Sequence, residues 1–109
     1  MATTYKVLGQ QNPAATTATT LYTVPASTST VVSSIVVCNQ AASTATFQIA
    51  VRPAGASLTA SQYIVYNTSI PANSNISYTL GITLATTDVI TVYASTTTLS
   101  FSAFGSEIV

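Results

Sequence analysis

The chain offers few side chains that could do chemistry. Lys6, Arg52, Asp88 and Glu107 are its only charged residues, Cys38 is its only cysteine, and histidine is absent. Glycoside hydrolysis needs two carboxyl groups beside one bond, and Asp88 and Glu107 are the only pair available. A serine or cysteine nucleophile needs an adjacent base, for which histidine is the usual group. The composition therefore predicts that the protein is not an enzyme.

Each of these residues also has a structural interpretation. Asp88 stands where a strand begins, so its carboxylate is interpreted as a turn cap. Glu107 follows the last predicted strand and is interpreted as a solvated or interface charge. Arg52 ends a strand at a predicted sheet margin, where it either guards the edge and aids solubility or donates hydrogen bonds to another subunit. Cys38 lies among valines and is interpreted as a small buried hydrophobe rather than a reactive thiol.

Cofactors and several classes of partner are not expected. One cysteine and no histidine allow neither an intrachain disulfide nor a zinc-type cluster. Two basic residues at zero net charge cannot form a phosphate-tracking surface, so no nucleic-acid partner is expected. No apolar run approaches the roughly 20 residues of a spanning helix, so no membrane partner is expected. Because no secretory signal is visible at the start of the chain, we expect retention in a cytoplasm until assembly or lysis.

Strand-like alternation organises the chain, most clearly over residues 71–104. Runs with period-two alternation or β-branched composition, bounded by turn residues, are predicted at residues 21–24, 30–39, 44–52, 62–67, 76–80, 90–92 and 99–103. Residues 44–52 place Ala45, Phe47, Ile49 and Val51 on one inner face. Residues 30–39 are largely apolar on both faces, which predicts a central strand covered on both sides, with the second side covered either by this chain or by another chain. Seven or eight short strands at this spacing predict an all-β antiparallel sandwich, of Ig-like or jelly-roll topology.

The chain is predicted to form one domain preceded by an arm. At 109 residues it suits a single core, which we assign to residues 21–109. Tyr5, Val7 and Leu8 could form a short first strand, but the rest of residues 1–20 has turn formers and no apolar periodicity. This segment is interpreted as an arm or lead-in, either a flexible terminus or a segment that orders against a neighbouring subunit.

The surface is expected to be unusually poor in charge. Only 4% of the residues are charged, against roughly a quarter in an average soluble protein. Such a surface resists association poorly, so we expect neighbouring subunits or an extracellular medium around it. Tyrosines suit interfaces and sugar stacking, and alternation places Tyr63 and Tyr66 on opposite faces of their strand. The residues expected at interfaces are Tyr5, Arg52, Tyr66, Phe104 and Val109.

Five segments resemble those of a known class of protein. They are residues 21–26 (LYTVPA), 32–39 (VSSIVVCN), 49–53 (IAVRP), 81–84 (GITL) and 88–92 (DVITV). In this order the chain resembles the small Thr/Ser-rich β-sandwich structural proteins of tailed bacteriophages, including those of marine and cyanobacterial hosts. These are strand and turn patterns without an active site, so the resemblance assigns no functional residue.

The resemblance implies a non-enzymatic building block of a virion, usually oligomeric, that assembles in the host cytoplasm. Capsid decoration or cement is the first expectation, and a tail, neck, baseplate or fibre component is the alternative. The partners implied are other copies of the chain, for example in a trimer, and the major capsid protein or tail proteins. A carbohydrate- or cell-surface-binding adhesin module, with the tyrosines at a glycan, is the alternative from another class.

Overall fold

Nine strands and two short 3₁₀ turns make up most of the molecule, a computed structural model that describes residues 2–109. The strands are β1 (Thr3–Gln11), β2 (Thr19–Thr23), β3 (Ser29–Asn39), β4 (Ala45–Arg52), β5 (Tyr63–Ile70), β6 (Asn75–Tyr78), β7 (Ile82–Leu84), β8 (Val89–Ala94) and β9 (Leu99–Ile108). The 3₁₀ turns are Pro53–Gly55 and Ala60–Gln62, both between β4 and β5. The prediction of an all-β protein is confirmed, with β1 and β7 raising the strand number above the seven or eight expected.

The strands form two antiparallel sheets that pack as a sandwich. One sheet has the order β1-β9-β3-β6, with β7 also paired to β3, and the other has the order β2-β8-β4-β5. β6 and β7 lie end to end along β3, and Gly81, with φ of 65°, turns the chain between them. If β6 and β7 are counted as one interrupted strand, each sheet has four strands, and their order is that of a jelly roll. The strand order therefore selects the jelly roll over the Ig-like topology.

The core is built from the inner faces of both sheets. Phe47 on β4 and Phe101 on β9 are fully buried, with ring centroids 6.0 Å apart in an edge-to-face contact. The inner face predicted for β4 is confirmed, because Ala45, Phe47 and Ile49 are buried and Val51 packs against them. Period-two alternation was sufficient here because β4 lies between β8 and β5, and its pairing with β8 is regular.

A bulge changes the faces of β3. Its register with β9 shifts between Val32 and Ser34, so one residue is inserted there. Val32 therefore shares the inner face with Ile35 and Val37, although simple alternation places Val32 on the other face. The outer face, including Cys38, is only half-buried, so within this chain β3 is covered on its inner face alone, and cover of the outer face by another chain stays a prediction. Cys38 accordingly lies on this outer face and outside the core.

The N-terminal segment predicted as an arm joins the sheet over much of its length. β1 pairs along β9 as an edge strand, and Leu8 contributes to the core. Gly9 permits this packing, because a Cβ there would lie 2.2 Å from the carbonyl oxygen of Leu21 on β2. The physical reason is the length of β9, which continues through residue 108 and offers β1 a complete ladder.

Polar side chains close both ends of the core along β3. At one end, Asn39 is 1% exposed, and its Nδ2 donates to the carbonyl oxygens of Ser43, Ile70 and Pro71 at 2.9, 3.2 and 3.3 Å. At the other end, the buried Thr30 contacts a tyrosine described below. Within residues 2–109, every buried side-chain nitrogen and oxygen has a hydrogen-bond partner.

Candidate functional site

All four charged side chains are used in contacts within the chain. Lys6 Nζ lies 3.2 Å from Glu107 Oε1 in an ion pair. Asp88 accepts hydrogen bonds from two loop amides, at 2.8 Å on Oδ1 and 2.9 Å on Oδ2, so its prediction as a turn residue is confirmed. Arg52 is bonded to the loop that follows its own strand. Each charged side chain therefore has a partner within the chain.

Glu107 belongs to a small network between the two sheets. It lies inside β9 rather than beyond the last strand, because β9 continues as far as β1 and β3 pair with it. Tyr22 on β2 donates its hydroxyl hydrogen to Glu107 Oε2 at 2.5 Å, and its oxygen lies 2.8 Å from Thr30 Oγ1. Burial, followed by the hydrogen bond to Glu107, raises the pKa of Tyr22 to about 12. The same hydrogen bond, aided by Lys6 and opposed by burial, lowers the pKa of Glu107.

Arg52 holds the loop between β4 and β5. Its Nε donates to the carbonyl oxygen of Ala56 at 2.8 Å, its Nη2 to that of Gly55 at 2.9 Å, and its Nη1 to Thr91 Oγ1 at 3.3 Å. Arg52 is the last residue of β4 and pairs with Val89 of β8, whereas the ladder with β5 ends at Ala50, so it lies at the end of an interior strand. Its contacts explain why a charged residue ends β4: it satisfies carbonyl groups of the turn that follows.

Apolar side chains line the outer side of the five-stranded sheet, on a surface we call the outer β9 face. It consists of Tyr5 and Val7 on β1, Val31 on β3, and Phe104 and Ser106 on β9. Two rows cross the strands: Tyr5 and Val31 flank Ser106, and Val7 pairs with Phe104. Tyr5 is 84% exposed and Val7 49%, while Val31 and Phe104 are half-buried. A shallow depression of ≈ 330 Å³ lies among Tyr5, Val31, Phe104 and Ser106.

Val109 lies at the end of the same sheet. Its amide donates to the carbonyl oxygen of Ala2 at 2.9 Å, and the Ala2 amide donates back to Val109 at 3.2 Å, which extends the β1–β9 ladder by one pair. The side chain is 67% exposed. Tyr5, Phe104 and Val109 therefore belong to one sheet, whereas Arg52 and Tyr66 belong to the other.

The second surface is a groove on the outer side of the four-stranded sheet, which we call the tyrosine groove. The large side chains that line this groove are Leu58, Tyr63, Tyr66 and Tyr93. Tyr63 and Tyr66 are in edge-to-face contact with ring centroids 4.9 Å apart, so they lie on the same side of β5. The prediction that they face opposite ways is wrong, because the pairing of β5 with β4 is irregular on both sides of Val65.

The residues that the sequence predicts at interfaces include one or two on each surface. These are Tyr5 and Phe104 on the outer β9 face and Tyr66 in the tyrosine groove, whereas Val7, Leu58 and the other groove residues were not assigned. Val7 alternates with Tyr5 and could have been found from that period. Leu58 lies in the loop between β4 and β5, and no local pattern indicates that this loop folds against β5.

Neither surface carries a cluster of metal-ligating side chains. Among residues 2–109, no group of three or more histidine, cysteine, aspartate or glutamate side chains could hold a metal ion. No helix in the same range is long and apolar enough to cross a membrane. Comparison of the chain with protein-family models, curated proteins and solved structures finds no match.

Proposed function

We propose that this chain is a non-enzymatic structural protein of a tailed-bacteriophage particle, in which it serves as a capsid decoration or cement subunit. The observation that supports this best is the use of all four charged side chains within the fold, together with the exposure of Tyr5 and Val7 on the outer β9 face. A protein built in this way has a surface poor in charge and one largely apolar sheet face that is open to contact.

The physical argument rests on association. Interspersed charges on a surface oppose non-specific contact between molecules, and here the Lys6–Glu107 ion pair neutralises two of the four. Large exposed apolar side chains that lie together mark contact surfaces, and aromatic residues are enriched at such interfaces. Covering Tyr5, Val7 and Phe104 with a neighbouring subunit removes apolar area from water at about 25 cal/mol per Å².

The fold and the sequence resemblance point in the same direction. Jelly rolls build viral capsid domains as well as lectins and cupins, although a fold by itself does not determine function. The resemblance to phage structural proteins, which runs from about Leu21 to the C-terminus, adds a second argument of the same kind. Many copies on one particle would also add weak contacts by multivalency.

The proposal includes self-association and a location. The outer β9 face would contact either another copy, for example in a closed trimer, or the major capsid protein, after assembly in the host cytoplasm. A tail, neck, baseplate or fibre position uses the same surface and differs only in the neighbouring protein. Cryo-electron microscopy of the particle distinguishes these positions directly.

The first experiment measures self-association and virion content. The purified chain is expected to sediment as an oligomer in analytical ultracentrifugation, and mass spectrometry of purified particles is expected to detect it. Val7→Lys places a charge on the outer β9 face and should shift the oligomer towards monomer. Ile64→Lys is the matched control, because Ile64 is 42% exposed on the opposite sheet against 49% for Val7. A monomeric wild-type chain that is absent from purified particles would overturn the proposal.

A further inference from the structure

We propose that the tyrosine groove is a binding site for a neutral saccharide. This inference does not depend on the structural role proposed above, because the groove lies on the sheet opposite the outer β9 face. It is argued from the shape of the groove, from its unpaired hydrogen-bonding groups and from its lack of charge.

The groove consists of two adjoining depressions. One has a volume of ≈ 340 Å³ and lies against Tyr63, Tyr93 and the outer side of β4 and β8, while the other has a volume of ≈ 570 Å³ and lies against Tyr63 and Tyr66. Leu58 and Tyr63 line both, so the two form one continuous trough. Each volume falls within the roughly 300–1,000 Å³ range of small-molecule sites.

The tyrosines supply both a stacking surface and hydrogen-bonding groups. Tyr66 is 61% exposed, and its edge-to-face contact with Tyr63 fixes the orientation of the two rings. Among the side-chain hydrogen bonds of residues 2–109, Tyr22 is the only tyrosine that takes part. The hydroxyl groups of Tyr63, Tyr66 and Tyr93 are therefore unpaired within the chain. A saccharide presents an apolar ring face to aromatic rings and hydroxyl groups to such phenols.

Polar side chains at the groove add amide and hydroxyl groups. Gln48 lines the first depression, and its Nε2 donates to Asn67 Oδ1 at 2.7 Å. This bond orients the Gln48 amide and leaves its oxygen available as an acceptor. Thr91 lies on the floor of the first depression, where its hydroxyl oxygen accepts a hydrogen bond from Arg52 at 3.3 Å. Each of these groups suits a ligand that both donates and accepts hydrogen bonds.

The lack of charged side chains in the groove favours a neutral ligand. No charged side chain lines either depression. Arg52 is the nearest cation by its bond to Thr91, and its other two donor nitrogens are bonded to loop carbonyl oxygens. Phosphorylated, sulfated or uronic-acid ligands would find no ion-pair partner here. A proline-rich peptide can also dock on aromatic grooves, but it has no donor groups on its prolines to match the unpaired phenol oxygens.

The test is a titration of the full chain with soluble oligosaccharides, followed by NMR of ¹³C-labelled tyrosine rings. The probes are cellotetraose, maltotetraose and tri-N-acetylchitotriose, with trigalacturonate as the charged comparator and decaproline as the peptide comparator. The six tyrosines give a small set of signals, which single substitutions assign. At least one neutral probe is expected to shift the Tyr63 and Tyr66 signals to saturation, and neither comparator is expected to do so.

Tyr66→Ala removes the most exposed ring of the groove and should weaken binding by about tenfold or more, as loss of a stacking contact does. Tyr66→Phe keeps the ring and should stay within about threefold of the wild type. Tyr5→Ala is the matched control on the opposite sheet, since Tyr5 is also highly exposed, and should leave binding unchanged. Circular dichroism confirms that each variant is folded.

Three results would overturn the inference. The first is the absence of any saturating shift of the Tyr63 and Tyr66 signals with the neutral probes. The second is saturation of those signals by decaproline or trigalacturonate in place of the neutral probes. The third is an equal loss of binding in Tyr5→Ala and Tyr66→Ala, which would show that the saccharide does not bind specifically at the tyrosine groove.

Discussion

Replacing Tyr22 with phenylalanine removes one hydroxyl group from the contact between the two sheets. That hydroxyl lies 2.5 Å from Glu107 Oε2 and 2.8 Å from Thr30 Oγ1. The ring itself is 7% exposed and keeps its packing after the substitution. The experiment therefore measures the hydrogen bonds with little change in the apolar core.

The expected loss follows from the hydrogen bond to Glu107. A hydrogen bond to a charged group contributes about 1.5–3 kcal/mol. The rise in the pKa of Tyr22 from 10.0 to about 12 sets the pH range over which the stability changes and not the size of this loss. Burial is the largest cause of that rise and the Glu107 bond the second, and the Glu107 side chain is still 14% exposed to screening by solvent. We therefore expect Tyr22→Phe to lower the free energy of unfolding by about 2 kcal/mol.

The assay is urea denaturation followed by far-ultraviolet circular dichroism at several pH values. Below pH 10 the tyrosine is protonated in both the folded and the unfolded chain, so its contribution is fully present. Between about pH 10 and 12 only the unfolded chain ionises, so this part of the stability is lost as the pH rises. The difference between the wild type and Tyr22→Phe should shrink over that range.

At low pH the Tyr22–Glu107 hydrogen bond affects the free energy of unfolding through the protonation of Glu107. Its pKa in the folded chain is lowered, chiefly by the Tyr22 hydrogen bond, so its contribution is present above the usual carboxyl range. That contribution is lost as the pH falls through the lowered pKa. Glu107→Gln should therefore flatten the acid side of the stability curve.

A double-mutant cycle of Tyr22→Phe and Glu107→Gln isolates the coupling between the two residues. We expect the two losses to be non-additive by about 1 kcal/mol or more, as for residues in one network. The reasoning is refuted if Tyr22→Phe unfolds at the same urea concentration as the wild type, or if the two losses simply add.

The remaining predictions concern the packing of the strands and are measured by the same urea assay. Gly105→Ala should destabilise the fold by roughly 3 kcal/mol or prevent folding, because its Cβ would lie 2.0 Å from the carbonyl oxygen of Val31; wild-type stability would contradict this close approach. Phe47→Ala should cost about 3–5 kcal/mol, since the ring is fully buried against Phe101, and a loss below about 1 kcal/mol would contradict the packing. Asp88→Ala leaves two loop amides without their acceptor and should cost about 1–3 kcal/mol, whereas Asp88→Asn, which keeps one acceptor oxygen, should lose less.

Local patterns predicted the elements wherever pairing is regular. The inner face of β4 followed from alternation alone, because Phe47 and Ile49 lie in an uninterrupted ladder with β8. The turn role of Asp88 also followed from its position, because a carboxylate at a strand start meets the nearby amides. The C-terminal end of β9 could not be predicted from local sequence, because residues 104–108 pair with both β1 and β3, which are distant in the chain.

The outer β9 face and the tyrosine groove were predicted less completely than the strands, for a related reason. Tyr5 and Phe104 were identified as contact residues, but only the pairing of β1 with β9 brings them onto one face. Tyr63 and Tyr66 come together because β5 bulges against β4. A bulge inserts one residue and reverses the faces beyond it, and its position depends on the partner strand.

The sequence by itself determined that this protein is built of strands and that it has almost no charge. Both properties are local: period-two alternation selects extended backbone, and a residue type fixes the charge wherever it lies. Only the tertiary structure decided the jelly-roll strand order, the pairing of all four charged side chains within the chain, and the positions of the outer β9 face and the tyrosine groove. These depend on which distant strands pair and in which register, since a shift of one residue moves every later side chain to the opposite face.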